Sequence, residues 1–272
     1  MPDLMGMLKF KGLKYRKMAE ELEKYYRNAI IICIKDVNDI PKGSSKMGGF
    51  PDLPPEIEYP TMSEYTETWL SGFNDGKTEH YEKSAMQLVA QINLRELAES
   101  GADLENILPK TGMLYIFWSG EGADLESNKY VETEVAEPDK TACHKVIYWD
   151  GDMSTLKRTE PPCPYYSKYF EECLEEYAVE FDSDSEYSRS SAYEIEGLEE
   201  VTDTESFDFS NDGDKMLGFP HGTNVPYLDE NTVNLFQFDY NMGCLLYTYW
   251  IMRKEDLKNL DFSRVSLDFD TD

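Results

Sequence analysis

The side chains in this 272-residue chain that could do chemistry are few in kind and poorly grouped for it. There are three histidines: His80 in a polar stretch, His144 beside Cys143, and His221 just after a Gly-Phe-Pro turn. Cys143 and His144 are neighbours in a strand-like run, which sets them on opposite faces and argues against a nucleophile–base pair. The five cysteines (33, 143, 163, 173 and 244) show no spacing that converges with histidines on a zinc ion. Asp208, Ser210, Asp212 and Gly213 fall where a calcium loop begins, but its twelfth position is Phe219 instead of a glutamate, so an EF-hand is rejected. A looser calcium arrangement is open at Asp182, Asp184 and Glu186. The run GEGADL at 120–125 lacks a third glycine and sets Glu121 against any pyrophosphate. With 54 acidic residues, no carboxylate pair is singled out for glycoside chemistry. No catalytic residue, metal or cofactor is assigned on these grounds.

A repeated pattern is more informative. Lys46-Met47-Gly48-Gly49-Phe50-Pro51 and Lys215-Met216-Leu217-Gly218-Phe219-Pro220 agree at five of six positions. Two further blocks follow each turn in the same order. Gln87-Leu88-Val89-Ala90-Gln91-Ile92-Asn93 pairs with Val233-Asn234-Leu235-Phe236-Gln237-Phe238-Asp239. Gly112-Met113-Leu114-Tyr115-Ile116-Phe117-Trp118 pairs with Cys244-Leu245-Leu246-Tyr247-Thr248-Tyr249-Trp250. Three blocks in order imply an internal duplication.

Within the turn, Gly49 and Gly218 mark a place that needs positive φ or close backbone approach. Pro51 and Pro220 hold the chain out of a helix, and Phe50 and Phe219 are expected as core anchors. The spacing is not that of a phosphate-binding loop. Strand alternation sets Val89, Gln91 and Asn93 on one side, and Leu235, Gln237 and Asp239 on the matching side. Two readings follow. Each glutamine satisfies the backbone of its own turn, or Gln91, Asn93, Gln237 and Asp239 anchor a ligand in a cleft walled by Trp118 or Trp250.

The elements that position these residues are strand-rich. Residues 14–27 have the 3–4 spacing of a helix with Met18, Leu22 and Tyr25 or Tyr26 on its buried face. The run at 28–37 reads as a strand, and 61–85 as a polar surface insertion. A strand enters a short helix over 87–100, a second strand follows to Trp118, and 145–162 reads as a hairpin turning at Asp150-Gly151. Residues 171–214 carry 17 acids and one base, as a loose excursion or as strands with a carboxylate face. The expected fold is α+β: one domain over 1–272, with an N-terminal helix and two similar β-rich halves, about 29–118 and 207–265.

Charge bounds the partners. The net charge is −28, and it is uneven. Residues 1–46 hold ten Lys/Arg and six Asp/Glu, a balance of +4 that leaves −32 for the remainder. Such a surface repels nucleic acid and suits a basic protein partner. No run approaches the roughly 18–20 apolar residues that span a bilayer, and no export signal opens the chain. A cytoplasmic protein with reduced thiols, off the membrane, is expected.

These blocks resemble the YwqG-like family, a bacterial family of unknown function. The resemblance rests on Ser45 to Pro54, Leu88 to Asn93, Gly112 to Phe117, the Lys145–Pro162 stretch, the second turn, the strand ending at Asp239, and Asp261-Phe262-Ser263-Arg264-Val265. It implies an intracellular α+β fold with internal duplication and brings no catalytic residues. The family's W-G-D-x-G stretch is reduced here to Asn241-Met242-Gly243. The function expected is a non-catalytic acidic module engaging a basic partner, an immunity-type neutraliser being one form. The alternative is a ligand binder or enzyme using the cleft between the halves.

Overall fold

A long β-branched run sets the middle of the molecule, and the rest of the sheet is laid out from it. The computed structural model describes residues 13–37, 39–63, 65–68, 78–120, 143–165, 174–187, 195–196, 212–222, 228–242 and 245–271. Helix α1 (Leu13–Leu22) buries Met18, Ala19 and Leu22 at the 3–4 spacing of one face. It stops short of the expected length because Glu23–Tyr25 tightens into a 3-10 turn and Tyr26 is already extended. Strand β1 (Tyr26–Lys35) then carries Ala29, Ile30 and Ile32 into the interior.

The first half continues through the short strands β2 (Lys46–Met47) and β3 (Asp52–Leu53). The polar insertion forms two small ladders, β4 (Thr61–Met62) with β7 (Ser84–Ala85), and β5 (Tyr65–Thr68) with β6 (Thr78–Tyr81). Strand β8 (Gln87–Asn93) runs into helix α2 (Leu94–Ser100). Asn93 is the helix cap, its side chain accepting from the Arg95 and Glu96 amides. β9 (Met113–Trp118), β10 (His144–Trp149) and β11 (Lys157–Arg158) follow. The remaining elements are β12 (Tyr177–Tyr187), β13 (Lys215–Leu217), β14 (Thr232–Met242), β15 (Leu245–Arg253), helix α3 (Lys254–Lys258) and β16 (Ser266–Thr271).

Ten of these strands form one antiparallel sheet in the order β10-β9-β8-β2-β12-β1-β13-β14-β15-β16. β1 and β12 lie at its centre, in register from Tyr26–Tyr187 to Lys35–Ala178. The part of the acidic segment that is described at 177–187 is therefore a central strand and not an excursion. Outward from this pair, each side adds a short lysine-bearing strand, a glutamine-bearing strand and an aromatic strand.

The sheet is strongly bent. Trp118 on β9 and Trp250 on β15 are seven strands apart, about 34 Å in a flat sheet at the usual spacing. Their ring centroids are 6.5 Å apart. Trp118 also lies 5.9 Å from Phe269 of β16, and Tyr148 of β10 stacks 5.8 Å from Phe262. The concave face thus closes on one apolar cluster fed from both halves, including Ile30, Ile116, Trp118, Met216, Phe236 and Trp250. Fully burying one such large side chain stabilises by roughly 1.5–3 kcal/mol. On the convex face of the first half, a second cluster gathers Leu53, Met62, Leu88, Tyr115, Phe117 and Leu156.

The expected hairpin at 145–162 is not formed. Asp152 caps a 3-10 turn at Met153–Thr155, and β11 pairs with β3 instead of returning along β10. Burial of Leu156 in the second cluster draws the chain across, and this brings Arg158 opposite Asp52. No helix among the described residues is long and apolar enough to cross a membrane.

Candidate functional site

The two Lys-Met turns have matching hydrogen bonds. In the first, Gln91 Oε1 accepts the Asp52 amide at 2.7 Å, and its Nε2 donates to Ser44 O at 2.9 Å and Asp52 Oδ2 at 3.0 Å. In the second, Gln237 Oε1 accepts the His221 amide at 2.9 Å, and its Nε2 donates to Gly213 O at 2.8 Å. Tyr115 Oη donates to Asp52 O at 2.7 Å, and Tyr249 Oη to His221 O at 2.6 Å. Ser45 Oγ accepts the Asn93 amide, while Asp214 Oδ1 accepts the Asp239 amide, each at 2.9 Å. The contacts align Tyr115 with Tyr249, so the third sequence block, which set Tyr115 against Tyr247, is out of register by two residues. The connection from glutamine strand to aromatic strand, residues 94–112 in the first half and 243–244 in the second, is unequal in length and hides this offset in the sequence.

Both lysines at the heads of the turns are fully buried. Lys46 Nζ contacts Glu176 Oε1 at 2.5 Å and donates to Phe50 O. Lys215 Nζ contacts Glu186 Oε1 at 2.8 Å and donates to Phe219 O at 2.6 Å. Burial pushes both lysine pKa values down, and the paired glutamate opposes this in each case. With their nitrogens enclosed, both act as ionic ties across the sheet. Neither presents an amine to a substrate.

The glutamates occupy the space that the turn glycines leave. Gly49 and Gly218 have φ of 69° and 65°. A Cβ on Gly49 would lie 2.7 Å from Glu176 Oε1, and one on Gly218 would lie 2.2 Å from Glu186 Oε2. The phenylalanines do not anchor the core: Phe50 and Phe219 are half-buried. The Phe carbonyl is what faces inward, to accept from the lysine, and Arg27 covers the Phe219 ring with its guanidinium 4.8 Å from the centroid.

The surroundings of the two turns differ. Asp52 is fully buried and receives Arg158 Nε at 2.8 Å and the Gly43 amide at 2.8 Å. Burial alone would raise its pKa, but the hydrogen bonds from Arg158, Gly43 and Gln91 outweigh it and leave the carboxyl below its ordinary value. Arg158 also reaches Glu176 Oε1 at 2.8 Å, joining Lys46, Glu176, Arg158 and Asp52 in one network. His221 stands in Asp52's place in the second turn, edge-on to Tyr247 at 5.4 Å. There burial raises the Asp214 carboxyl to about 6, and burial together with the Asp212 charge raises Asp239.

Both partner glutamates come from the same stretch of chain. Glu176 just precedes β12 and Glu186 is its last residue but one, so alternation sets Glu176, Glu180, Asp182, Asp184 and Glu186 on one face. The terminal two serve the lysines; Glu180, Asp182 and Asp184 between them are exposed. Lys35 meets Glu180 at 3.5 Å with both side chains half exposed, while Asp182 and Asp184 accept the amides of the serines that follow them. The result is a ladder of carboxylates about 7 Å apart along one strand. Glu186 is not open to calcium with Asp182 and Asp184, because it is enclosed with Lys215. Among the described residues no group of three or more His, Cys, Asp or Glu is placed to hold a metal. Asp208, Ser210, residues 121–125, Gly243, Cys173 and Cys244 lie outside the described residues, as does the side chain of His80.

The four polar residues set together by the strand pattern are held apart. Gln91 and Gln237 each serve their own turn, Asn93 caps α2 and donates to Gly43 O at 2.8 Å, and Asp239 is exposed. Bulges between Leu88 and Ala90 and between Asn234 and Phe236 break the expected alternation, which leaves Val89 and Leu235 in the concave core. Trp118 and Trp250 do meet, but on the concave face, whereas Gln91 and Gln237 share the convex face with Tyr115 and Tyr249. They do not wall a cleft anchored by these amides. Sequence reasoning missed the roles of Asp52, Arg158 and Glu176, and set Glu186 in a calcium arrangement instead of opposite Lys215. The one available signal was the lysine repeated at the head of both turns, since a buried lysine requires a counter-charge.

No curated protein matches the sequence. A family model described as a domain of unknown function, DUF1963, matches residues 45–271, from the serine before the first buried lysine to the end of the last strand. Since that match takes in both turns, both glutamates and nearly the whole sheet, the chain belongs to the DUF1963 family.

Proposed function

We propose that this protein is a non-catalytic, acidic protein-binding module whose β12 face takes a basic segment of a partner. The observation that carries the reading is the exposed ladder Glu180-Asp182-Asp184, set at the centre of the sheet between the two lysine–glutamate ties. Carboxylates on every second residue suit lysines or arginines on every second residue of an extended partner strand. The net charge of −28 would speed encounter with a basic protein and reject nucleic acid. Immunity-type neutralisation of a basic nuclease toxin is one form such a module takes.

The test uses a synthetic peptide with lysines at alternate positions and a permuted peptide of equal charge. Anisotropy titrations at low and at 0.3 M salt should show tighter, salt-sensitive binding of the alternating peptide. Reversing Glu180, Asp182 and Asp184 to lysine should weaken it at least tenfold, and reversing the scattered, exposed Glu99, Glu230 and Glu255 should weaken it far less. Equal losses from the two triple variants would sink the proposal.

We also read the matched turns as products of an internal duplication, and the chain as a YwqG-like, cytoplasmic member of its family. The position-by-position agreement of the Gln91 and Gln237 hydrogen bonds supports the duplication. Relatives that keep one turn but lack its counterpart's lysine, glycine and glutamine would count against it. Cell fractionation that recovers the protein outside the cytosol would overturn the assignment of compartment.

A further inference from the structure

The strand beside the carboxylate ladder leaves an apolar strip on the same face. The alternation that sends Ile30 and Ile32 into the concave core turns Ile31 and Cys33 of β1 to the convex side, in register with Asp182 and Glu180. Both side chains are half-buried, and the second apolar cluster, which covers the convex face of the first half, does not include them.

A second group of acids stands on the far side of this strip. The Ile32 amide donates to Asp214 O at 3.0 Å, which holds the chain entering β13 against β1. Asp212 on that chain and Asp239 on β14 are both exposed. Burial lowers the Lys215 pKa, and Asp184 and Asp212 both oppose it, which sets the two acidic banks on the face that holds this lysine. β12 and β13 flank β1 at the usual strand spacing, so the banks are about 10 Å apart. Among the described residues no lysine or arginine pairs with Asp182, Asp184, Asp212 or Asp239. A bare cation would gain nothing from Ile31 and Cys33. A lysine side chain can lay its aliphatic stem on that floor and send its ammonium to either bank.

Building on the reading of the β12 ladder as a protein-binding face, we propose that this trough takes an extended, lysine-bearing strand of a partner protein, laid along β1. Its ammoniums are shared between the ladder and the second bank of Asp212 and Asp239. Side chains pointing down from such a strand recur about every 7 Å, in step with Ile31 and Cys33. The trough thus selects a long-stemmed cation, and charge alone does not suffice.

The experiment titrates the full chain, at fixed ionic strength, with the alternating-lysine peptide, the same peptide carrying 2,4-diaminobutyrate for lysine, and spermine. Diaminobutyrate keeps the charge but drops two methylenes per side chain. At up to about fourfold for each buried methylene, it should bind roughly tenfold more weakly. Asp212→Asn with Asp239→Asn, isosteric changes at exposed positions, should weaken the lysine peptide about fivefold. Saturating peptide should slow alkylation of Cys33 by iodoacetamide several-fold, read by mass spectrometry. If reversing the ladder weakens binding while the Asp212 and Asp239 variant keeps full affinity, the trough is overturned and the ladder reading stands. If reversing the ladder has no effect, both fall. Equal binding of the diaminobutyrate peptide, spermine binding as tightly as the lysine peptide, or an unchanged rate of Cys33 alkylation would each overturn the trough alone.

Discussion

Lys215 Nζ lies 2.8 Å from Glu186 Oε1, and neither side chain reaches solvent. Its counterpart Lys46 is equally buried, but Glu176 keeps 32% of its side chain exposed and a second cation, Arg158. Two ties of the same construction therefore differ in what is left when one partner is removed.

That difference is measurable by urea denaturation. Lys215→Met strands a carboxylate inside the sheet and should cost about 3–5 kcal/mol. Lys46→Met leaves Glu176 near water and paired with Arg158, so about 1–2 kcal/mol is expected. Lys215→Met with Glu186→Gln should recover part of the first loss. Equal costs for the two lysine variants would contradict the assigned environments.

Asp214 predicts a pH effect. Its carboxyl is raised to about 6, so the folded state favours the protonated form. Its contribution to stability is complete below about pH 4, the unfolded value, and is lost as pH rises through about 6. Asp214→Asn should leave stability at pH 4 unchanged and raise it at pH 8 by about 1–3 kcal/mol. Asp52, whose pKa is lowered, works in the opposite direction: its contribution is present above the ordinary carboxylate range and is lost as pH falls. A flat difference between wild type and Asp214→Asn across pH 4–8 would refute the assignment.

The turn glycines should not be equivalent to other left-handed glycines. Gly101 has φ of 74° and open space around a built Cβ, so Gly101→Ala should cost about 1 kcal/mol. Gly218→Ala meets both the left-handed penalty and Glu186, and is expected to cost at least about 3 kcal/mol by pushing the carboxylate off Lys215. Thermal unfolding of the two variants decides the point, and similar melting temperatures would count against it.

Gln91 and Gln237 are separate supports, so their losses should add. Each Gln→Leu variant leaves a backbone N–H and carbonyl of its own turn unpaired, at about 2–4 kcal/mol. Hydrogen exchange should accelerate at the Asp52 amide only in Gln91→Leu, and at the His221 amide only in Gln237→Leu. A double variant deviating from additivity by more than about 0.5 kcal/mol would indicate one shared site instead.

Thr248 offers a gain. Its Oγ1 is buried with no hydrogen-bond partner among the described residues, two residues from Trp250 on the same face of β15. Thr248→Val preserves shape and removes the buried hydroxyl, so stability should rise by about 1 kcal/mol in chemical denaturation. A loss of stability would show that the hydroxyl is satisfied.

How much of this was legible can be judged residue by residue. Local chemistry was enough to place the strand at Ala29–Ile34, the passage from Asn93 into α2, and the left-handed backbone at Gly49 and Gly218, because each depends on neighbours a few residues away. The end of α1 was misjudged by a few residues, since helical spacing runs on through Tyr25 and Tyr26 while the following strand claims them. The repeated lysine showed that the two turns were alike but could not show what they held. Lys46 finds Glu176 at a separation of 130 residues and Lys215 finds Glu186 at 29, distances over which no local rule selects a partner among 54 acids. The sequence left 171–214 open between a loose excursion and strands with a carboxylate face, and the pairing of β12 along β1 set five carboxylates on one face. Only the bend of the sheet and the placing of its neighbours decided that the outer two are tied to buried lysines and the middle three face solvent. The same bend brought Trp118 to Trp250 and turned both away from the glutamines, because which face of a strand is inside depends on where the rest of the chain lies, and that is a property of the assembled sheet.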